Sequence, residues 1–150
     1  MQLSEKVQQY FYNLDKGLAG EKLFDSMTET IMCDCLILND LLLKYNNTTF
    51  QIDSLIIFQD CIYMFEVKNF EGDFYYESER FYKTPNSEMN NPLNQLMRSE
   101  SLFRQQLQSL QVTILLHAYV VFINPEFTLY QAPLNKPFIF PTQLNRFIKN

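Results

Sequence analysis

Apolar residues in the first third of the chain recur at the spacing of a helix. Two such patterns occur. The first follows Ser4, a residue type that caps helix N-termini, and in the second the apolar residues recur in steps of four, three and four. A short first helix is predicted to carry Val7, Phe11 and Leu14, and the following helical stripe consists of Gly20, Phe24, Met27 and Ile31.

Extended patterns follow, rich in Ile, Phe and Tyr and separated by turn residues such as those at 45–49. Asn91 and Pro92 then mark the start of another helix, because Asn is a preferred N-cap and Pro is tolerated in the first turn. A short helix is predicted over residues 142–148. Strands are predicted over residues 33–38, 41–43, 50–58, 61–68, 74–76, 80–82 and 112–123.

The predicted order is helix, three strands, a small hairpin, helix and strand, which indicates a mixed α/β domain with one crossover. A length of 150 residues suits one domain and is too short for two, so residues 1–150 are expected to form a single unit. Hydrophobic residues make up 47% of the chain, enough to build a core rather than a disordered chain.

No apolar run reaches the roughly 18 residues that would span a bilayer, and the N-terminus lacks a signal-peptide pattern. A cytoplasmic protein without membrane attachment is therefore expected. Cys33, Cys35 and Cys61 are too few for a disulfide framework and lack zinc-ligand partners, so they are expected to be buried small hydrophobes.

The two central strands can be aligned because a two-residue loop at positions 59–60 fixes their register. That register sets Asp53 directly opposite Glu66, with Cβ atoms about 4.5–5.5 Å apart. Lys68 follows on the same face of the second strand, close enough to orient a water or a phosphate oxygen. Facing carboxylates repel each other unless a divalent ion such as Mg²⁺ binds between them. The set predicts metal-assisted phosphodiester hydrolysis, and the competing interpretation is a solvated Glu–Lys surface pair.

Four short strings also resemble the nuclease-related domain (NERD) family, which is placed in the PD-(D/E)XK nuclease superfamily. They occur in the family's order and approximate spacing over about residues 15–100. Ser54 departs from the pattern, since the family often has a His or another polar residue after the Asp. The strings are GLAGE at 17–21, QID at 51–53, FEVKNFEG at 65–72 and NPLNQ at 91–95.

The resemblance implies a restriction-endonuclease-like core, with a mixed central sheet flanked by helices. It also implies Mg²⁺, with Mn²⁺ as a substitute, held by Asp53, Glu66 and the backbone carbonyl of Val67. Lys68 would activate or position the attacking water. Glu21 would reach a second metal or its water shell, and Gln95 would hold the nucleophile or the phosphate.

Arg98 lies one helical turn beyond Gln95 and is a candidate phosphate contact, although a solvated helix Arg is the competing interpretation. The expected partner is nucleic acid, with DNA favoured over RNA. A net charge of −5 counts against a general nucleic-acid binder but not against a nuclease with metal-neutralised carboxylates. The alternatives are a catalytically silent nucleic-acid-binding or scaffold module and a dimerisation domain that uses the aromatic hairpin. Oligomeric state stays open, a dimer included.

Overall fold

The computed structural model describes residues 4–31 and 33–149. A mixed five-stranded sheet of order β1-β2-β3-β7-β9 carries helices on both faces, and a smaller sheet of order β6-β5-β4-β8 lies beside it. The helices are α1 (Glu5–Thr28), α2 (Pro92–Ser109) and α3 (Pro141–Lys149). The strands are β1 (Leu36–Tyr45), β2 (Thr48–Ile57), β3 (Cys61–Lys68), β4 (Gly72–Glu77), β5 (Arg80–Lys83), β6 (Ser87–Met89), β7 (Leu115–Phe122), β8 (Phe127–Tyr130) and β9 (Phe138–Ile139).

The large sheet separates two apolar clusters. On one face, Leu93, Leu96 and Phe103 of α2 pack with residues of both sheets. On the other face, Phe24 of α1 and Leu144 of α3 pack against the aromatic and aliphatic side chains of β3 and β7. The α/β class with a mixed sheet flanked by helices is thus confirmed. Each helix among the described residues is too short or too polar to span a membrane.

Most predicted elements are present, with two changes near the N-terminus. The short helix and the following stripe form one continuous helix, α1, whose N-cap is Ser4 as predicted and which ends before Ile31. Residues 33–35 precede β1 instead of belonging to it, so the predicted strand began too early. The expected burial of the cysteines was also wrong, because Cys33 is exposed and Cys35 and Cys61 are half-buried.

The aromatic hairpin β4–β5 is largely a packing element. Phe74, Tyr76 and Phe81 are buried in the core beside the large sheet. Tyr75 and Tyr82 stack on each other across the hairpin, with ring centroids 4.7 Å apart. The hairpin therefore offers far less exposed aromatic surface than the predicted dimerisation role required.

Strands β1 and β2 both lose their regular alternation at the same level. Leu38 and Leu41 of β1 are three positions apart, yet both pack against the apolar cluster on the α2 side of the sheet. Ile52 and Leu55 of β2 have the same spacing and also belong to this α2-side cluster. A regular strand would send such residues to opposite faces. Asp40 absorbs the irregularity with a φ of 54°, a left-handed conformation that Asp tolerates better than most residues.

Candidate active site

Asp53 lies where β2 and β3 separate. The antiparallel ladder follows the predicted register from Ile57–Ile62 to Ser54–Phe65, one position before Asp53 and Glu66. Instead of continuing the ladder, the Asp53 carboxylate accepts a hydrogen bond from the Val67 N–H at 2.9 Å. The register prediction is therefore confirmed up to Ser54, and beyond it a side chain replaces the backbone partner.

Glu66 and Lys68 extend from the end of β3 on the face that α2 covers. Glu66 is only 4% exposed, and its Oε1 lies 3.5 Å from the Lys68 ammonium nitrogen. The same ammonium donates a hydrogen bond to Oε1 of Gln95 at 3.0 Å. Gln95 is thereby brought to the site from the first turns of α2, after an N-cap in which Asn91 accepts from the Leu93 N–H.

Glu21 reaches the site from α1 because that helix approaches the end of β3 closely at Gly20. A Cβ placed on Gly20 would lie 2.6 Å from the Cβ of Asn69 and 3.2 Å from Cγ2 of Ile123. Asn69 also donates a hydrogen bond to the Lys16 carbonyl at 2.8 Å. This contact positions Glu21, whose carboxyl group lies near enough to that of Asp53 for Asp53 to raise its pKa.

Burial disfavours ionisation of all three carboxyl groups, and the charge of Asp53 adds to this effect at Glu21 and Glu66. Burial and the neighbouring charge of Asp53 raise the pKa of Glu66 to about 7, despite the opposing effect of Lys68. Burial and Asp53 likewise raise the pKa of Glu21 to about 7. Burial raises the pKa of Asp53 as well, against the lowering effects of the Val67 N–H, Glu21 and Lys68. Without a cation, the site therefore retains protons near neutral pH.

Asp40 is a site neighbour that sequence reasoning missed. Its charge raises the pKa values of both Glu21 and Asp53, so its carboxylate lies near both groups. Its Oδ1 accepts a hydrogen bond from the Gln51 amide at 2.7 Å. The available signal was the Asn-Asp pair interrupting an apolar strand, which marks a backbone irregularity but gives no indication of its neighbours.

The opposite side of the site opens into a cleft of about 770 Å³ with polar and apolar lining residues. Arg98 lines it together with Lys68 and Gln95, as expected for a residue one turn along α2. The Arg98 guanidinium donates a long hydrogen bond of 3.4 Å to the Thr49 carbonyl. The remaining polar lining residues are Glu88, Asn90, Asn91 and Asn94.

Two other residues considered from the sequence lie away from the site. Ser54 is fully buried and donates a hydrogen bond to Oδ1 of Asn39 at 3.0 Å, so this departure from the family pattern affects packing between β1 and β2. His117 stacks on Tyr63, with ring centroids 5.0 Å apart. Tyr63 packs against the cluster on the α1 and α3 side of the sheet, across from Lys68.

The oxygen donors at the site are of the class that Mg²⁺ prefers. Asp53 and Glu66 supply two carboxylates, and the Val67 carbonyl points to the same edge as its N–H, because both groups of a strand residue face the same neighbour. Among the described residues, no group of three or more His, Cys, Asp or Glu side chains forms a ready-made metal cage. The donor set suits a cation bound through two carboxylates, with water completing its shell.

The close packing at Gly20 leads to a first prediction. Gly20→Val should force α1 away from Asn69 and displace Glu21, with a loss of unfolding free energy on the order of 1–3 kcal/mol from overpacking. Gly17→Val is the matched control, because a Cβ at Gly17 meets no atom within 4 Å. Chemical denaturation checks the prediction, and equal losses in the two variants would contradict it.

Comparison with known proteins gives one match. The sequence model of a family described as nuclease-related domain matches residues 16–123. No curated protein and no solved structure matches the chain. The matched range includes Glu21, Asp53, Glu66, Lys68 and Gln95.

Proposed function

The chain belongs to the nuclease-related domain family, and on that premise we propose that it is a metal-dependent nuclease that hydrolyses phosphodiester bonds of nucleic acid, with DNA as the favoured substrate. The observation that carries the proposal is the buried Glu66 carboxylate beside the Lys68 ammonium, with the half-buried Asp53 near enough to raise the pKa of Glu66. A fold gains no stability from carboxylates whose ionisation is so disfavoured, which supports a functional reason for keeping them.

Asp53 and Glu66, with the Val67 carbonyl, are proposed to hold Mg²⁺, and Mn²⁺ in its place. When bound, the ion supplies Lewis-acid activation of the phosphate and a water of lowered pKa. Glu21 would contribute a carboxylate to the ion's water shell or to a second cation site. The effect of Asp53 on the pKa of Glu21 supports this role, because the two carboxyl groups must lie near each other to interact.

Lys68 is proposed to orient the attacking water and to stabilise the negative charge that develops on the phosphate. Its ammonium retains one hydrogen bond to Gln95 and one contact with Glu66, so it is held in place before substrate arrives. A preorganised donor of this kind costs no rearrangement during the reaction. Arg98, farther along the cleft, is proposed to contact a neighbouring phosphate of the substrate.

Gln95→Ala should lower cleavage by roughly tenfold to a hundredfold, a smaller loss than direct removal of the ammonium. Gln95 holds Lys68 through one neutral hydrogen bond, so its removal loosens the ammonium while leaving the charge present. Gln105→Ala, at an exposed position of the same helix, is the control. Initial rates on a fluorescent DNA substrate measure both, and equal rates in the two variants would contradict the proposed role.

The decisive experiment is a cleavage assay on circular and linear DNA and on RNA, with Mg²⁺, with Mn²⁺ and with EDTA. Wild type should cleave with either metal and stop in EDTA, and circular substrates reveal endonucleolytic action. No cleavage of any substrate with either ion would overturn the proposal. Retained nucleic-acid binding would then favour the silent binding module.

A further inference from the structure

The N-terminal half of α1 leaves an apolar stripe uncovered. Val7, Phe11, Leu14 and Leu18 are between 38% and 54% exposed. They are separated by four, three and four residues, the spacing of a coiled-coil seam. We propose that this stripe pairs antiparallel with the same stripe of a second copy of this chain.

The stripe is not an extension of the face that packs on the sheet. The buried residues of α1 are Gly20, Phe24 and Thr28. At 100° per residue, their mean direction differs from that of the stripe by about a third of a turn. The sheet therefore cannot cover the stripe, and a separate partner is needed.

This half of the helix also has little intrinsic reason to be stable alone. No described residue before Gly20 is buried, and Lys16, near the end of this half, contacts Asn69 and Glu71 of the loop after β3. An isolated helix of fewer than about 12 residues is marginal in water. Aromatic and Asn residues further lower its propensity, so packing must supply the stability.

The pattern fits a second copy in the antiparallel sense. Setting Phe11 against the partner helix's Leu14 also sets Val7 against its Leu18, so every apolar position meets another. In this alignment Tyr10, beside the seam, faces Gly17 of the second copy. Within one chain, a Cβ added to Gly17 would meet no atom within 4 Å, so there is space for the Tyr10 ring of the second copy. Gly17 otherwise only weakens an exposed helix.

Charge and size support the same pairing. On the other side of the seam, Asp15 faces Gln8 of the second copy, so two like charges do not face each other there. With Tyr10, the stripe exposes on the order of 500 Å² per chain, and two copies together cover on the order of 1,000 Å², the lower limit for a specific interface. Antiparallel pairing also places the two folded domains at opposite ends of the helix pair, where they do not collide.

Analytical ultracentrifugation of the full chain tests the proposal, without metal or nucleic acid, so that its outcome is independent of the proposed nuclease activity. Wild type should dimerise, and Leu14→Lys should weaken dimerisation at least about thirtyfold. The matched control is Leu134→Lys, at a fully exposed leucine in the segment between β8 and β9. It should dimerise like wild type.

A second variant separates packing from helix stability. Gly17→Gln should raise the thermal stability of the chain at low concentration, because Gln is the better helix former, yet weaken association by filling the space facing Tyr10. A wild type that stays monomeric overturns the proposal. So does equal weakening by the Leu134 control, unchanged association of Gly17→Gln, or flotation of monomers with phosphatidylglycerol vesicles that Leu14→Lys abolishes, which would make the stripe a membrane-binding face.

Discussion

Lys68→Ala is expected to lower Mg²⁺-dependent cleavage by about a hundredfold to a thousandfold, the loss typical of removing one preorganised charge-stabilising donor. The side chain that disappears is the only cation within 4 Å of Glu66 among the described ion pairs. The fold should persist, because the ammonium end of Lys68 is part of the open cleft and not of the core. Single-turnover cleavage rates and circular dichroism of the same samples measure the two effects.

Two further variants separate the effect of the Lys68 charge from other effects of the substitution. Lys68→Met keeps the aliphatic stem, so it should lose activity like Lys68→Ala if charge is the cause. Lys83→Ala, an exposed strand lysine of the smaller sheet, should retain wild-type rates. Full activity in Lys68→Met would exclude the proposed role of the ammonium.

The register of the central hairpin could be predicted because it depends on local information. The two residues at 59–60 fix the pairing of β2 with β3, and the apolar alternation of β3 assigns each side chain to a face. The structure keeps both features, with Met64 in the α2-side cluster and Phe65 in the opposite one. As far as Ser54, the placement of the side chains of β2 and β3 follows from these two facts.

The features that could not be predicted depend on contacts between distant segments. The irregularity shared by Asp40 and Asp53 involves two strands at once, and the Asn-Asp pair that marks it in β1 does not indicate its partner in β2. Glu21 belongs to the site only because Gly20 meets Asn69 across a separation of about 50 residues. In the sequence, Glu21 could be assigned only through family resemblance.

The β4–β5 hairpin of the smaller sheet was predicted, but its outer strands β6 and β8 were missed for a related reason. Strands β6 and β8 are three and four residues long, too short for a reliable alternation pattern. Strand β8 also pairs in parallel with β4, far away in the sequence. Parallel strands are not joined by a tight turn, so no local sequence pattern predicts their pairing.

Glu66→Gln is expected to stabilise the metal-free protein at pH 8 while removing its response to Mg²⁺. In the folded protein the pKa of Glu66 is about 7, above its value of 4.5 in an unfolded chain. The folded state then binds more protons than the unfolded state between these pH values, so the free energy of unfolding falls as pH rises through this window. At pH 8 the full penalty applies, on the order of 2–3 kcal/mol, and an uncharged Gln avoids it.

Thermal melts at pH 5 and pH 8, with and without Mg²⁺, measure this effect. Metal-free wild type should melt several degrees lower at pH 8 than Glu66→Gln, and the difference should shrink at pH 5, where Glu66 is protonated in the folded protein. Mg²⁺ should raise the wild-type midpoint at pH 8, because it binds the folded state, and should raise that of Glu66→Gln far less. Glu77→Gln, at an exposed carboxylate of β4, should behave like wild type throughout. A Glu66→Gln variant that is less stable than wild type at pH 8 and gains equally from Mg²⁺ would mean that Glu66 is a structural carboxylate and that the cation, if bound, is held elsewhere.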